Sequence, residues 1–210
     1  MSNSSAAQAF NQLLSIADQL MGPGGCPWDL VQTNFTLRES ILEEVYEIIE
    51  AIDLEDDSNL IEELGDLLYN IVFLAKLAEK DGRFAMVDPI KVIHDKLISR
   101  HPHVFGGAKI DDAEGVKMRW EEIKKQEKKE RTSALDGIPP HLPALARAYK
   151  VAGRMKEVGG GGFEDEQDLA DALWELVLKA RAAKINPEIA LRKLLMHKEA
   201  EFRKNEIAGH

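Results

Sequence analysis

Glu43, Glu44 and Glu47 stand on one short segment, GluGluValTyrGlu, and a second acidic segment, GluGluLeuGlyAsp, begins at Glu62 and ends at Asp66. Both are embedded among Ile, Leu and Val. An isolated acidic pair at this spacing is usually a solvated helix face, because runs of charge mark exposure. The apolar pattern points elsewhere. At about 100° per residue, Leu37, Ile41, Val45, Ile48 and Ile52 form a stripe that Leu42 and Ile49 widen, with Glu44 and Glu47 beside its other edge. On the next helical segment, Glu63, Asp66 and Asn70 share a stripe that continues into Phe73 and Leu77. Two carboxylates one turn apart, on each of two helices joined by a short turn, converge between antiparallel neighbours.

Four unneutralised carboxylates in such a place repel one another and lose hydration, so they either protonate or hold a cation. An all-oxygen donor set with no Cys and no nearby His suits Mg²⁺, with Mn²⁺ as the alternative, rather than Zn²⁺. A di-iron bundle needs Glu-x-x-His on its helices, and the chain has none. Nor is there a GxxxxGK[ST] loop, so a phosphate would be held through metal and cations.

Candidate cations lie nearby in sequence. Lys96 and Arg100 are four residues apart, on one face of a helical segment, and Arg38 sits at the start of the first acidic helix. Singly, such residues are ordinary solubilising charge; beside a metal they bind the distal phosphates of a nucleotide, where the Arg fork takes two oxygens. Trp28, in CysProTrpAsp, either packs under its loop or stacks on a base, and packing is the commoner role. His101 and His103 flank Pro102 and read as helix-end residues. The glycine run 159 to 162 reads as a hinge.

These residues need helices to position them. Apolar residues recur at three- and four-residue steps, and alternating strand patterns are scarce, so the fold is read as all-α with five or six helices. The first, about Ala6 to Met21, stops at the GlyProGlyGlyCysPro punctuation. The second runs from about Thr36 to Leu54, with Thr36 and Glu39 in capping-box spacing. AspAspSerAsn, 56 to 59, supplies a turn and a cap for the third, about Leu60 to Glu79. AspPro at 88 and 89 opens a fourth, reaching Arg100. From Gly106 to Arg131 the composition becomes strongly charged, as a linker or solvated helix does. Further helical patterns lie near Leu145 to Val158, Gln167 to Ala183 and Pro187 to Glu206. Within them, LeuAlaAspAlaLeuTrpGluLeuVal (169 to 177) echoes LeuGlyAspLeuLeuTyrAsnIleVal (64 to 72), which suggests a duplicated unit whose second copy has no counterpart of GluGluValTyrGlu.

Composition narrows the partners. The 210 residues carry 27 Lys plus Arg against 37 Asp plus Glu, a net charge of -10, which disfavours a nucleic-acid backbone or an anionic membrane as partner. The lone Cys26 allows no internal disulfide and no multi-cysteine zinc site, which fits a reducing compartment. No basic-then-apolar leader and no run of about eighteen apolar residues is evident, so a cytoplasmic protein is expected.

The ordered set GlyCysProTrpAsp, GlnThr at 32 and 33, GluGluValTyrGlu, GluLeuGlyAspLeuLeu at 63 to 68, GlyArgPhe at 82 to 84 and AspLysLeuIleSerArgHisProHisValPhe at 95 to 105 resembles the MazG nucleoside triphosphate pyrophosphohydrolases. The likeness is dense from about Leu13 to Phe105. It implies an all-α domain that dimerises into four-helix bundles and uses Mg²⁺ to hydrolyse a nucleoside triphosphate to the monophosphate and pyrophosphate. By its pattern the metal ligands are Glu44, Glu47, Glu63 and Asp66. Lys96 and Arg100 match its phosphate-contacting pair, and Arg38 takes a position where a Lys is common. Glu43, beside the ligands, is then free to take the proton of the attacking water. The implied domains are a catalytic unit over 1–106, a charged linker over 107–137 and a degenerate second unit over 138–210. Where the second unit would carry the Lys-x-x-x-Arg pair, the alignment gives His197 and Glu201. That loss also motivates a rival reading, a nucleotide-sensing or partner-binding protein with weak or lost turnover.

Overall fold

Glycine, proline and Asx residues divide the chain into helices, and a computed structural model describes residues 3–107, 112–127, 131–157, 159 and 162–208. Among the described residues there are ten helices and no strand, so the all-α expectation holds. The count exceeds five or six partly because two single turns open at prolines: α2 (Pro27–Leu30) and α6 (Pro102–Phe105). Proline lacks the N–H that a first helical residue would leave unbonded, so it starts a turn at no cost. Half of the glycine run, residues 160 and 161, falls outside the described residues, as does part of the 107–137 segment.

The chain forms two compact units, Met1–Ile123 and Lys124–His210, and the division falls inside α7 (Ala113–Glu127). In the first unit, α1 (Asn3–Met21) packs on α4 (Asp57–Lys80), and α3 (Leu37–Asp53) packs along α4 as an antiparallel pair. Small residues, Ala17 on α1 and Ala75 and Ala78 on α4, are fully buried and let the backbones approach. Lys76 reaches across to Asp18 at 2.6 Å, its stem buried and its head paired. After α1, Cys26 N–H donates to the Leu20 carbonyl at 2.8 Å, and a Cβ at Gly25 would collide with that same carbonyl. Glycine is required there by close approach.

The α3–α4 turn is built from two caps. Glu55 N–H donates to Ile52 and Asp56 N–H to Ala51, the paired bonds that close a helix through a left-handed residue, here Glu55 with φ of 53°. Asp56 then accepts from Ser58 and Asn59 N–H at 3.0 and 3.1 Å, capping α4 as its sequence predicts. At the other end of α3 the expected capping box does not form. The Thr36 backbone is helical, and its hydroxyl turns back to Gln32 and the Thr33 carbonyl, so it is spent within the preceding turn.

Downstream, α5 (Val87–Arg100) packs on α6 and buries none of its residues. In the second unit, α8 (Ala144–Met155) packs on α10 (Pro187–Ala208) around Leu135, Val151 and Leu195. The half-buried Arg147 forks onto Glu199 at 2.9 and 2.7 Å. α9 (Glu166–Ala182) buries no residue. Among the described residues no helix is long and apolar enough to cross a membrane.

Candidate metal centre

The face α3 turns to α4 differs from the predicted stripe. Leu37 and Ala51 are buried, with Ile41, Glu44 and Ile48 half-buried between them, whereas Val45 and Ile52 are exposed. Rotating the helix this far brings Glu44 into the interface instead of to its edge. It also leaves a second apolar row outside: Leu42, Val45, Ile49 and Ile52.

Opposite Glu44, α4 offers the predicted stripe. Glu63 is 9% exposed and Asn70 is 8% exposed, with Phe73 buried below them and Asp66 open to water. One carboxylate oxygen from each of Glu44, Glu63 and Asp66 lies within 4.8 Å of the others. Glu47 is exposed one turn along α3, near enough for its charge to act on both Glu44 and Glu63. Glu43 is exposed on the same turn.

The electrostatics follow from that convergence. Burial pushes the Glu44 carboxyl above its ordinary value, and the charges of Asp66, Glu47 and Glu63 push it further. Burial likewise raises Glu63, with Glu47, Glu62 and Asp66 adding to it. Like charge at this separation opposes ionising both carboxylates at once. Among the described residues none of the four acids has a Lys or Arg ion-pair partner. A nine-tenths buried glutamate without a cation is rare in proteins. The donor set fits a hard divalent cation, which would satisfy the converging oxygens of Glu44, Glu63 and Asp66 together.

Asn70 is the residue that sequence reasoning left without a role. Its amide Nδ2 donates to Glu44 Oε1 at 3.4 Å, the one neutral donor on the acidic group among the described residues. The signal was available, because Asn70 continues the Glu63–Asp66 stripe.

The other candidates stand on separate elements. Lys96 is exposed and Arg100 half-buried on α5, where the Arg100 guanidinium lies 5.3 Å over the Trp120 ring of α7. Arg38 lies 5.8 Å over Phe35. Trp28 is 72% exposed, so it does not pack under its loop; the loop is closed instead by backbone bonds and by Gln32, which donates to the Trp28 carbonyl at 3.0 Å. His101 sits between α5 and α6 with its Nδ1 2.7 Å from the Leu97 carbonyl, a helix-end position as expected.

Residues 32–105, which contain the whole acidic centre, match the model of the MazG nucleotide pyrophosphohydrolase domain. The chain is 37% identical over 222 residues to the Thermotoga maritima nucleoside triphosphate pyrophosphohydrolase/pyrophosphatase MazG, covering 94% of this chain and 85% of that protein. It belongs to the MazG family. The Escherichia coli K12 nucleoside triphosphate pyrophosphohydrolase is 38% identical over 228 residues, covering 94% and 87%. Bacillus subtilis YabN, uncharacterised, is 46% identical over 143 residues, but this MazG chain spans only 29% of its length. A crystal structure of a MazG-related protein from Thermotoga maritima is 32% identical, with a TM-score of 0.48, and covers 55% of this chain and 98% of that one.

Proposed function

We propose that this MazG-family chain hydrolyses nucleoside triphosphates to the monophosphate and pyrophosphate, with Mg²⁺ held by Glu44, Glu47, Glu63 and Asp66. The observation that carries this reading is the meeting of Glu44, Glu63 and Asp66 within 4.8 Å at a partly buried helix interface. The names of the Thermotoga maritima and Escherichia coli relatives supply the substrate class.

Bound Mg²⁺ would neutralise the triphosphate oxygens and the charge that develops on departing pyrophosphate. The protein's own residues do the rest. Asn70 fixes one Glu44 oxygen so that the other stays turned to the centre. Glu43, exposed beside the ligands, accepts a proton from the water whose oxygen bonds to the α-phosphorus while the bridging bond to the β-phosphate breaks. Lys96, Arg100 and Arg38 take the distal phosphates, and the exposed Trp28 indole offers a stacking face to the base.

The same reading makes the protein a homodimer. α3 exposes Leu42, Val45, Ile49 and Ile52, and α4 exposes Ile61, Leu64, Leu68 and Ile71. Both rows repeat at steps of three and four, the spacing of a bundle seam, and a second copy of the pair completes four helices.

Glu47→Gln and Asp66→Asn test the centre. Each is expected to abolish Mg²⁺-dependent pyrophosphate release from a panel of triphosphates while leaving helical content unchanged; full turnover in either variant refutes the cage. The sensor reading draws on α9, which carries Asp168 and Asp171 with no acidic partner helix among the described residues. Calorimetry with a non-hydrolysable triphosphate separates the two, since a sensor binds and releases no product.

A further inference from the structure

The Tyr69 hydroxyl on α4 is buried and has no hydrogen-bond partner among the described residues. Native proteins leave few buried polar groups unpaired, so each one calls for an explanation. Packing fixes where this hydroxyl stands. The Tyr69 ring lies edge-on to Phe73 at 5.8 Å and 87°, and Phe73 is buried. What faces the hydroxyl is the α2 turn. Burial raises the phenol above its ordinary value, and the charges of Asp29 and then Cys26 raise it further, which puts both side chains beside it. Asp29 is itself half-buried, and among the described residues no hydrogen bond or ion pair engages its carboxylate. A donor and an acceptor, both unsatisfied, therefore stand next to each other on two elements.

The element that carries the acceptor is small. α2 is a single turn, entered through Gly24 at a φ of 77° that glycine adopts freely, so a slight rotation moves it as a unit. Trp28 precedes Asp29 on that turn and is exposed. Successive helical residues diverge by about 100°, so a bond made by Asp29 fixes the direction of the Trp28 indole. Tyr69 follows Asp66 by one turn of α4, which sets α2 beside the acidic centre. We propose that Tyr69 is a positioning residue for the nucleotide base: on binding, its O–H donates to the Asp29 carboxylate, and α2, latched to α4, holds the Trp28 indole across the base. This inference rests on the reading of Trp28 as the base-stacking face. The bond is unmade in the free protein, so its formation adds to the affinity for a ligand that has a base and not for a bare polyphosphate.

Calorimetry on the full-length chain with Mg²⁺ tests this with two probes, a non-hydrolysable nucleoside triphosphate and inorganic tripolyphosphate. Tyr69→Phe is expected to weaken the first by about 10-fold, the low end for a hydrogen bond to a charged acceptor, and to leave the second unchanged. Asp29→Ala should do the same, and the double variant should lose no more than either single one. Because the hydroxyl is unbonded in the nucleotide-free protein, Tyr69→Phe should not lower its melting temperature. Unchanged nucleotide affinity in Tyr69→Phe overturns the proposal, as do a loss shared by tripolyphosphate, additive losses in the double variant, or a lower melting temperature without nucleotide. Cys26→Ala checks the other neighbour and is expected to bind both probes as the unmodified chain does. A nucleotide-specific loss in Cys26→Ala with none in Asp29→Ala makes the thiol the acceptor and overturns the assignment. If pyrophosphate release is absent while these affinities behave as expected, the hydrolytic reading fails alone. If turnover is intact and Tyr69→Phe binds normally, the latch fails alone; a chain that binds no nucleoside triphosphate fails both.

Discussion

On the proposed reading, Asn70 is the single side chain that tunes the acidic centre. Among the described residues its amide is the one neutral hydrogen-bond donor on Glu44, and partners of metal ligands typically govern affinity by roughly 10- to 100-fold. Asn70→Leu keeps the volume and removes the donor, so Mg²⁺ affinity measured by calorimetry should fall by about that factor, while Asn70→Gln recovers part of it. Equal affinity in all three proteins would deny Asn70 the role. The raised Glu44 and Glu63 carboxyls make a second prediction at this scale. A group raised on folding binds protons more readily in the folded protein than in the unfolded one. Stability is therefore fullest below the ordinary carboxylate value and falls as pH rises through the raised one. Metal-free protein in EDTA should lose melting temperature as pH rises above the ordinary carboxylate range, saturating Mg²⁺ should remove that loss, and Glu44→Gln should flatten it.

At the scale of elements, the α3–α4 turn sets the register in which Glu44 meets Glu63. Asp56 caps α4, and Glu55 sits in the left-handed region that a side chain adopts at a cost of about 1–2 kcal/mol. Asp56→Ala is expected to cost about 1 kcal/mol, read by denaturant melts, and to weaken Mg²⁺ binding as the pair frays. Glu55→Gly should do the reverse and stabilise by about 1 kcal/mol, because glycine adopts that conformation freely. The helices themselves were legible in sequence to within a few residues, since period and punctuation are local. The capping box at Thr36 was not, because Gln32 and Thr33 compete for the same hydroxyl. The single turns α2 and α6 were also missed, their prolines having been read as stops.

At the scale of the whole molecule, the two units differ in what acid does to them. In the second, Asp136 is held below the usual carboxylate range first by Arg203, Glu188 first by the Ala144 N–H, and Glu206 first by Ser133. Together they fasten the segment before α8 to α10. A lowered group stabilises above its ordinary value, and that contribution is lost as pH falls through the lowered one. Hydrogen exchange on acidification below about pH 4 should therefore show α8 and α10 opening before α3 and α4, whose carboxyls are relieved by the same protons.

The sequence by itself determined the all-α class, the residues able to hold a cation and the family they resemble, because residue types, helical period and turn chemistry are local properties. It also carried the loss of the second acidic segment, which is a matter of what is missing. Only the tertiary structure decided which side of α3 faces α4. The pattern placed Glu44 at the rim of an apolar stripe; packing rotated it inward to Asn70 and Glu63 and turned Val45 and Ile52 out. A helix with two apolar faces does not say which one an intramolecular neighbour will cover, since both bury similar area and the choice rests on side chains that another helix brings.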